Sequence, residues 1–292
     1  MPKQLPLSQD IIRKIRHLEI YTKRLLSGSL VGDSRSARKG TGFEFDQIRE
    51  YQVGDDVRFI DWKATARANQ LLVKEYIEER SRVVLLVVDI SGSSYFTSSE
   101  QLKYEVMAQV ASVLALAADY GNDGVGLLLF SDEVELFIPP RRGRLQVHTI
   151  MEKLFRHKSQ KTGTDLGCAL ERLAQLKRND TIVFLISDFI GSYSTKYLPI
   201  IAKKYDTVAI RCLDKNEYTF PSVGFITVSD IETGQQVMID SRNKKALASF
   251  LKNRIVDQDR LFKGYGVDVL DVSGETPFMG NLIRFFARRM NY

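Results

Sequence analysis

From Val83 onward, short apolar runs alternate with longer segments whose apolar positions recur three and four residues apart. Val83–Val88, Val125–Phe130, Thr181–Ile186, Thr207–Cys212 and Val267–Leu270 have the length and near-continuous Val, Ile and Leu content of strands covered on both faces. Val134–Ile138 is expected as a further strand at a sheet edge, and Val223–Val228 with Val237–Ile239 as a hairpin turning at Glu232–Gln235. Helical spacing predicts helices at Glu100–Tyr120, Leu145–Phe155, Leu166–Leu176, Thr195–Lys204, Lys244–Phe262 and Phe278–Arg289. Parallel strands each followed by a helix argue an α/β fold with a doubly wound, mostly parallel, Rossmann-like sheet. No internal repeat or low-complexity tract interrupts the pattern.

Upstream the pattern is different. Ser8–Ser27 has helical spacing through Ile11, Ile15, Leu18, Thr22 and Leu25, with Ser8 or Asp10 as its cap and Gly28 at its end. Residues 28–42 read as a glycine-rich loop. Residues 43–80 scatter aromatic and apolar positions among dense charges, with turns at Gly54-Asp55-Asp56 and Ala68-Asn69-Gln70. They are expected to form short strands and hairpins, too small to bury a separate core. The expected division is thus a basic helix and loop (1–42), a small β-rich subdomain packed on the α/β core (43–80), and the α/β domain itself (81–292).

Composition narrows the class. With 44% apolar and 27% charged residues, the 292-residue chain suits a globular protein and excludes disordered or collagen-like classes. No apolar run approaches the roughly 20 residues that span a bilayer. The polar stretch Met1–Asp10 has no secretory core, and two cysteines, Cys168 and Cys212, make no disulfide framework. A cytoplasmic setting is the expectation. The first forty residues hold nine Lys or Arg against Asp10, Glu19 and Asp33, which accounts for the whole net charge of +6. That basic arm suits phosphate, an acidic partner or peripheral contact with an anionic membrane surface.

In a doubly wound sheet, ligands bind beyond the carboxyl ends of the strands where strand order reverses. Asp89-Ile90-Ser91-Gly92-Ser93 stands at the end of the first parallel strand. Thr162-Gly163-Thr164-Asp165 precedes a helix, and Ser187-Asp188 follows a later strand. Asp89, Ser91, Ser93, Asp188 and a threonine, Thr164 directly before the Asp165-Leu166 helix start in preference to its rival Thr162, make an all-oxygen set suited to a hard cation, Mg²⁺ first and Mn²⁺ or Ca²⁺ after it, but not zinc or copper.

This order resembles the metal-ion-dependent adhesion site of von Willebrand factor A domains: Asp89, Ser91 and Ser93 match its Asp-x-Ser-x-Ser, Thr164 its threonine and Asp188 its last aspartate. A longer string is more specific: Gly42-Phe43-Glu44-Phe45, Arg49-Glu50-Tyr51, Gly54-Asp55-Asp56-Val57-Arg58, Ile60-Asp61-Trp62 and Ala66-Arg67. Pro139-Pro140-Arg141-Arg142-Gly143, Ser187-Asp188-Phe189, Asp230-Ile231-Glu232-Thr233-Gly234 and Phe285-Phe286-Ala287-Arg288-Arg289 continue it. Over roughly residues 10–290 the chain is similar to the bacterial family catalogued as "domain of unknown function fifty-eight", with Ser34 standing where members often have histidine. The resemblance implies a von Willebrand factor A-like fold and a non-enzymatic adaptor. It also implies a MoxR-type AAA+ ATPase as partner, acting on a client complex.

Two other classes fit the residues less well. A metal-dependent hydrolase of the haloacid-dehalogenase type would want a second aspartate where Ser91 stands. Nucleic-acid binding through the basic arm lacks an aromatic stacking motif, so no specific nucleic acid is expected. Asp55, Asp56, Arg58, Asp61 and Arg67 around Trp62 suit an ion-pair lattice or a partner-docking surface. Arg141-Arg142-Gly143-Arg144 suits a solvated loop or an acidic partner, and His17, His148 and His157 share no metal or triad spacing.

Overall fold

The continuous Val/Leu run after Arg82 forms a central strand, β3 (Val83–Asp89), with every residue buried. The computed structural model describes residues 39–77, 82–95, 102–157, 159, 161, 163–177, 180–190, 194–214, 224–229, 236–240, 242, 244–274 and 278–290. The expected helix at Ser8–Ser27 and the turn at Glu232–Gln235 lie outside them. The described residues fall into two compact units that divide between Ser81 and Arg82.

In the second unit, β3 is joined by β4 (Gly124–Phe130), β5 (Val134–Arg141), β6 (Thr181–Ser187), β7 (Asp206–Leu213) and β10 (Asp268–Ser273). The sheet has six strands in the order β10-β7-β6-β3-β4-β5. Every pairing is parallel except β4 with β5, which puts the expected edge strand antiparallel at the border. The chain leaves β3 toward β4 and later returns to its other side as β6, so strand order reverses between β3 and β6.

Successive side chains of a strand face opposite ways. Val84, Leu86 and Val88 therefore pack with α2 (Lys103–Tyr120), α3 (Arg144–Arg156) and α7 (Phe278–Met290). Leu85 and Val87 pack with α4 (Leu166–Gln175), α5 (Leu198–Lys204) and α6 (Lys244–Gly264). Gly126 in β4 sits in a close approach: a Cβ there would lie 2.9 Å from both Leu85 Cδ1 and Pro140 Cγ, so something must shift to admit one. The separate hairpin is present as β8 (Phe225–Ser229) and β9 (Gln236–Asp240). Two helices begin later than expected: α2 at Lys103, with residues 96–101 outside the described set, and α5 at Leu198, after a turn from Thr195 O to Leu198 N.

The first unit pairs β1 (Lys39–Glu50) antiparallel with β2 (Leu72–Ile77). It corrects two expectations. The strand begins at Lys39, inside the stretch read as loop, and the segment is not all strands and hairpins. A short 3₁₀ turn (Val57–Phe59) and helix α1 (Trp62–Ala68) lie between β1 and β2. Asp61 caps α1 by accepting from the Lys63 and Ala64 amides, and Asn69 ends it in the left-handed region at φ 54°. The charges form pairs: Arg49 grips Asp55 at 2.7 and 2.8 Å, and Arg58 holds Asp56. Trp62 is two-thirds exposed.

Candidate metal centre

Asp89 closes β3 beside the ends of β4 and β6, and three loops meet there. The Ile90 amide donates to Phe130 O at 2.8 Å, and the Asp165 amide donates to Ser131 O at 2.8 Å. Consecutive carbonyls at the end of β4 therefore hold the Asp89 loop on one side and the Thr164 loop on the other. Asp165 then caps α4 by accepting from the Gly167 amide at 2.8 Å. Thr164, directly before that cap, is half-buried.

The Asp89 loop is wound by its own side chain. Asp89 Oδ1 accepts from the Ser91 amide at 2.8 Å, and the chain continues into a 3₁₀ turn at Gly92–Tyr95. The Ser91 and Ser93 hydroxyls lie 3.1 Å apart. From the neighbouring strand, Ser187 Oγ donates to Asp89 Oδ2 at 2.6 Å while accepting from the Phe189 amide at 2.9 Å. Asp188 Oδ1 accepts from the Ile190 amide at 2.9 Å, and Asp188 Oδ2 accepts from Lys103 Nζ at 2.7 Å.

The Asp188 loop is also gripped from α6. Phe189 adopts φ 51°, a left-handed conformation unfavourable for a residue with a Cβ. Gln258 Nε2 donates to Phe189 O at 2.7 Å, and the Phe189 ring meets Phe262 edge-on at 5.0 Å. Gln258 in turn accepts from Arg211, a fully buried guanidinium that reaches Asp259 and Asp271.

Asp89 and Asp188 are both essentially inaccessible to solvent. Burial, with the Asp188 charge adding to it, pushes the Asp89 carboxyl up to about 6 against the hydrogen bonds from Ser187 and Ser91. Four of the five expected residues, Asp89, Ser91, Ser93 and Asp188, lie buried on adjacent loops, and Thr164 stands on the third loop held by β4. Two residues of the site escape the sequence reading as participants: Ser187, named only as part of a motif, and Lys103, at the front of an apolar helix.

The donor chemistry fits a hard divalent cation. All five side chains offer oxygen, and when both carboxylates are ionised the Lys103 ammonium balances one of two negative charges. Among the described residues no group of three or more His, Cys, Asp or Glu forms a metal cluster, so any cation here leans on hydroxyls and water as well.

The remaining candidates sit elsewhere. His157 Nε2 lies 2.9 Å from Glu135, which also accepts from Ser131 and Ser159. Burial raises the Glu135 carboxyl, but those hydrogen bonds more than offset it and hold it below the ordinary range. Burial pushes the Cys168 thiol up to about 12 and the Cys212 thiol higher still. Neither thiol is thus set up to ionise near neutral pH. No helix among the described residues is long and apolar enough to cross a membrane.

The loops thus meet at the switch point of a doubly wound, mostly parallel six-stranded α/β sheet, the fold class expected from the chain. The chain belongs to the family described as "Protein of unknown function DUF58", whose model matches residues 47–260. It is 29% identical over 280 residues to the uncharacterized protein Rv1480 of Mycobacterium tuberculosis, covering 94% of this chain and 88% of that protein. A shorter stretch of 90 residues, 31% of this chain and 21% of the relative, is 34% identical to the uncharacterized protein YeaD of Bacillus subtilis. Similar solved structures include the conserved hypothetical protein BatB from Bacteroides thetaiotaomicron (14% identity, TM-score 0.46, 72% of this chain and 100% of that chain). The SpRpn10 VWA domain is another (9% identity, TM-score 0.38, 67% of this chain and 89% of that chain).

Proposed function

We propose that this protein is a metal-dependent protein-interaction adaptor and not an enzyme. Asp89, Ser91, Ser93, Thr164 and Asp188 would hold Mg²⁺, or Mn²⁺ or Ca²⁺ in its place, directly or through water. The bound ion would offer a Lewis-acidic position to a carboxylate of a partner. The partner inferred from the family resemblance is a MoxR-type AAA+ ATPase, engaged for the assembly or activation of a client complex.

One observation carries this reading. Two buried carboxylates face a reversal of strand order, with the Ser91 and Ser93 hydroxyls 3.1 Å from each other on the Asp89 loop and one ammonium 2.7 Å from Asp188. Burying two carboxylates is unfavourable unless cations balance them, so the site retains affinity for added positive charge. Its all-oxygen chemistry selects a hard ion over a soft one.

The test is a calorimetric titration of Mg²⁺ and Mn²⁺ into the full chain and its Ser91→Ala and Ser93→Ala variants. Binding of the ATPase would be measured in Mg²⁺ and in EDTA. Saturable metal binding weakened by either substitution, with partner affinity lost in EDTA, is expected. Equal partner affinity in Mg²⁺ and EDTA would remove the metal bridge from the mechanism.

A further inference from the structure

Lys103 is in an unusual place for a lysine. It is the first residue of α2, where the helix dipole is positive and disfavours a cation, and its side chain is only 3% exposed. No side chain caps that helix end. An ammonium drawn out of water against a helix dipole needs strong compensation, and Asp188 supplies it at 2.7 Å with a carboxylate that is itself 1% exposed. The contact spans 85 residues of sequence and joins the front of α2 to the loop after β6.

The same oxygen has a second claimant. Asp188 Oδ1 accepts from the Ile190 amide, and Oδ2 accepts from the ammonium. A divalent ion drawing on Asp188 Oδ2 meets the ammonium as a rival for that oxygen and as a like charge within a few ångströms. In a buried site such repulsion is poorly screened.

We propose that Lys103 is a resident counter-cation of this site: its ammonium and a divalent metal occupy Asp188 in alternation. Lys103 thus sets how tightly metal binds and keeps the metal-free protein stable. The proposal rests on the metal reading of the Asp89–Asp188 loops. Without metal, the ammonium neutralises Asp188 and closes the α2 end over it. With metal, the ammonium leaves Asp188 Oδ2, and its departure lowers the apparent metal affinity.

The experiment titrates Mn²⁺ alone into the full chain and its Lys103→Met and Lys103→Arg variants, with thermal melts of each in the presence and absence of Mn²⁺. Lys103→Met is expected to bind Mn²⁺ at least tenfold more tightly. Its metal-free melting temperature should fall, and Mn²⁺ should raise it further than in the wild type. Lys103→Arg, which keeps the cation, should return the affinity toward the wild-type value.

Equal Mn²⁺ affinity in wild type and Lys103→Met would overturn the alternation and leave the metal site standing. Weaker binding in Lys103→Met would also overturn it, making the ammonium a support for Asp188. No Mn²⁺ binding in either chain would remove the metal reading and the alternation together. Should Lys103→Met fail to fold, the wild type still decides the matter through the nitrogen-15 signal of its buried lysine ammonium. Loss of that signal along the Mg²⁺ binding curve supports alternation, and its persistence at saturation overturns it.

Discussion

Ser187 and Asp89 end adjacent parallel strands, and the Ser187 hydroxyl donates to Asp89 Oδ2 at 2.6 Å in a fully buried contact. The same hydroxyl accepts from the Phe189 amide, so one oxygen fixes both the carboxylate of the Asp89 loop and the backbone of the Asp188 loop.

Ser187→Ala should therefore act on both loops. It leaves the Phe189 amide without this acceptor and Asp89 without a donor, which costs roughly 1–3 kcal/mol for buried polar groups. Urea denaturation should show that loss. Mn²⁺ calorimetry should show weaker binding, because the Asp89 carboxylate is no longer held in one orientation.

Asp89 predicts a distinct pH dependence. Its folded-state value, about 6, lies above that of an unfolded aspartate, so the native state holds the extra proton between about pH 4 and pH 6. The metal-free protein should lose stability as pH rises through that window, by an amount on the order of 2–3 kcal/mol from this group. Metal affinity should run the other way and weaken as pH falls below about 6, since the proton competes. Asp89→Asn should remove most of the stability slope in denaturation curves taken from pH 4 to pH 7.5, and a slope unchanged by that substitution would assign it to other groups.

Arg211 joins β7 to α6 and β10 through Asp259, Asp271 and Gln258. The guanidinium is 1% exposed while Asp259 and Asp271 are 32% and 48% exposed, so the acids rehydrate if it is removed. Arg211→Met should cost about 2–3 kcal/mol, less than breaking a fully buried pair. Asp271→Asn alone should cost well under that, and urea denaturation separates the two.

Gly126→Ala should destabilise by about 1–3 kcal/mol through overpacking, because the added methyl meets Leu85, Pro140 and the Ile138 carbonyl at 3.0 Å or less. A melt of that variant close to wild type would show that β5 gives way easily at the sheet edge.

The parts of this fold that show in the sequence are those set by local physics. Val83–Asp89 has to be buried whatever surrounds it, and Asp165 before Leu166 marks a helix start with its own side chain. The order of the oxygen-bearing loops follows from the order of strands and helices, so Asp89, Ser91, Ser93 and Asp188 are legible from the chain alone. Helix α1 is hidden because it is short, and its Asp61 and Asn69 caps are equally at home in turns. Lys103 is hidden for a different reason. A single lysine at the front of an apolar helix reads as solvent-facing, and its burial depends on where β6 ends, far along the chain. Nothing in the local sequence marks Phe189 as left-handed, since phenylalanine lacks the freedom of glycine or asparagine.

The Asp188–Phe189 dipeptide is a joint between two helical layers that the sheet otherwise keeps apart. Lys103 holds it from α2 on one side, and Gln258 and Phe262 hold it from α6 on the other. A left-handed phenylalanine is unfavourable by about 1–2 kcal/mol, a cost that the contacts on both sides offset. Asp188 is joined through the Phe189 carbonyl to Gln258, and through Arg211 to β10, by a run of buried and half-buried hydrogen bonds. One carboxylate is thus tied by hydrogen bonds to both helical layers and to the β10 edge of the sheet.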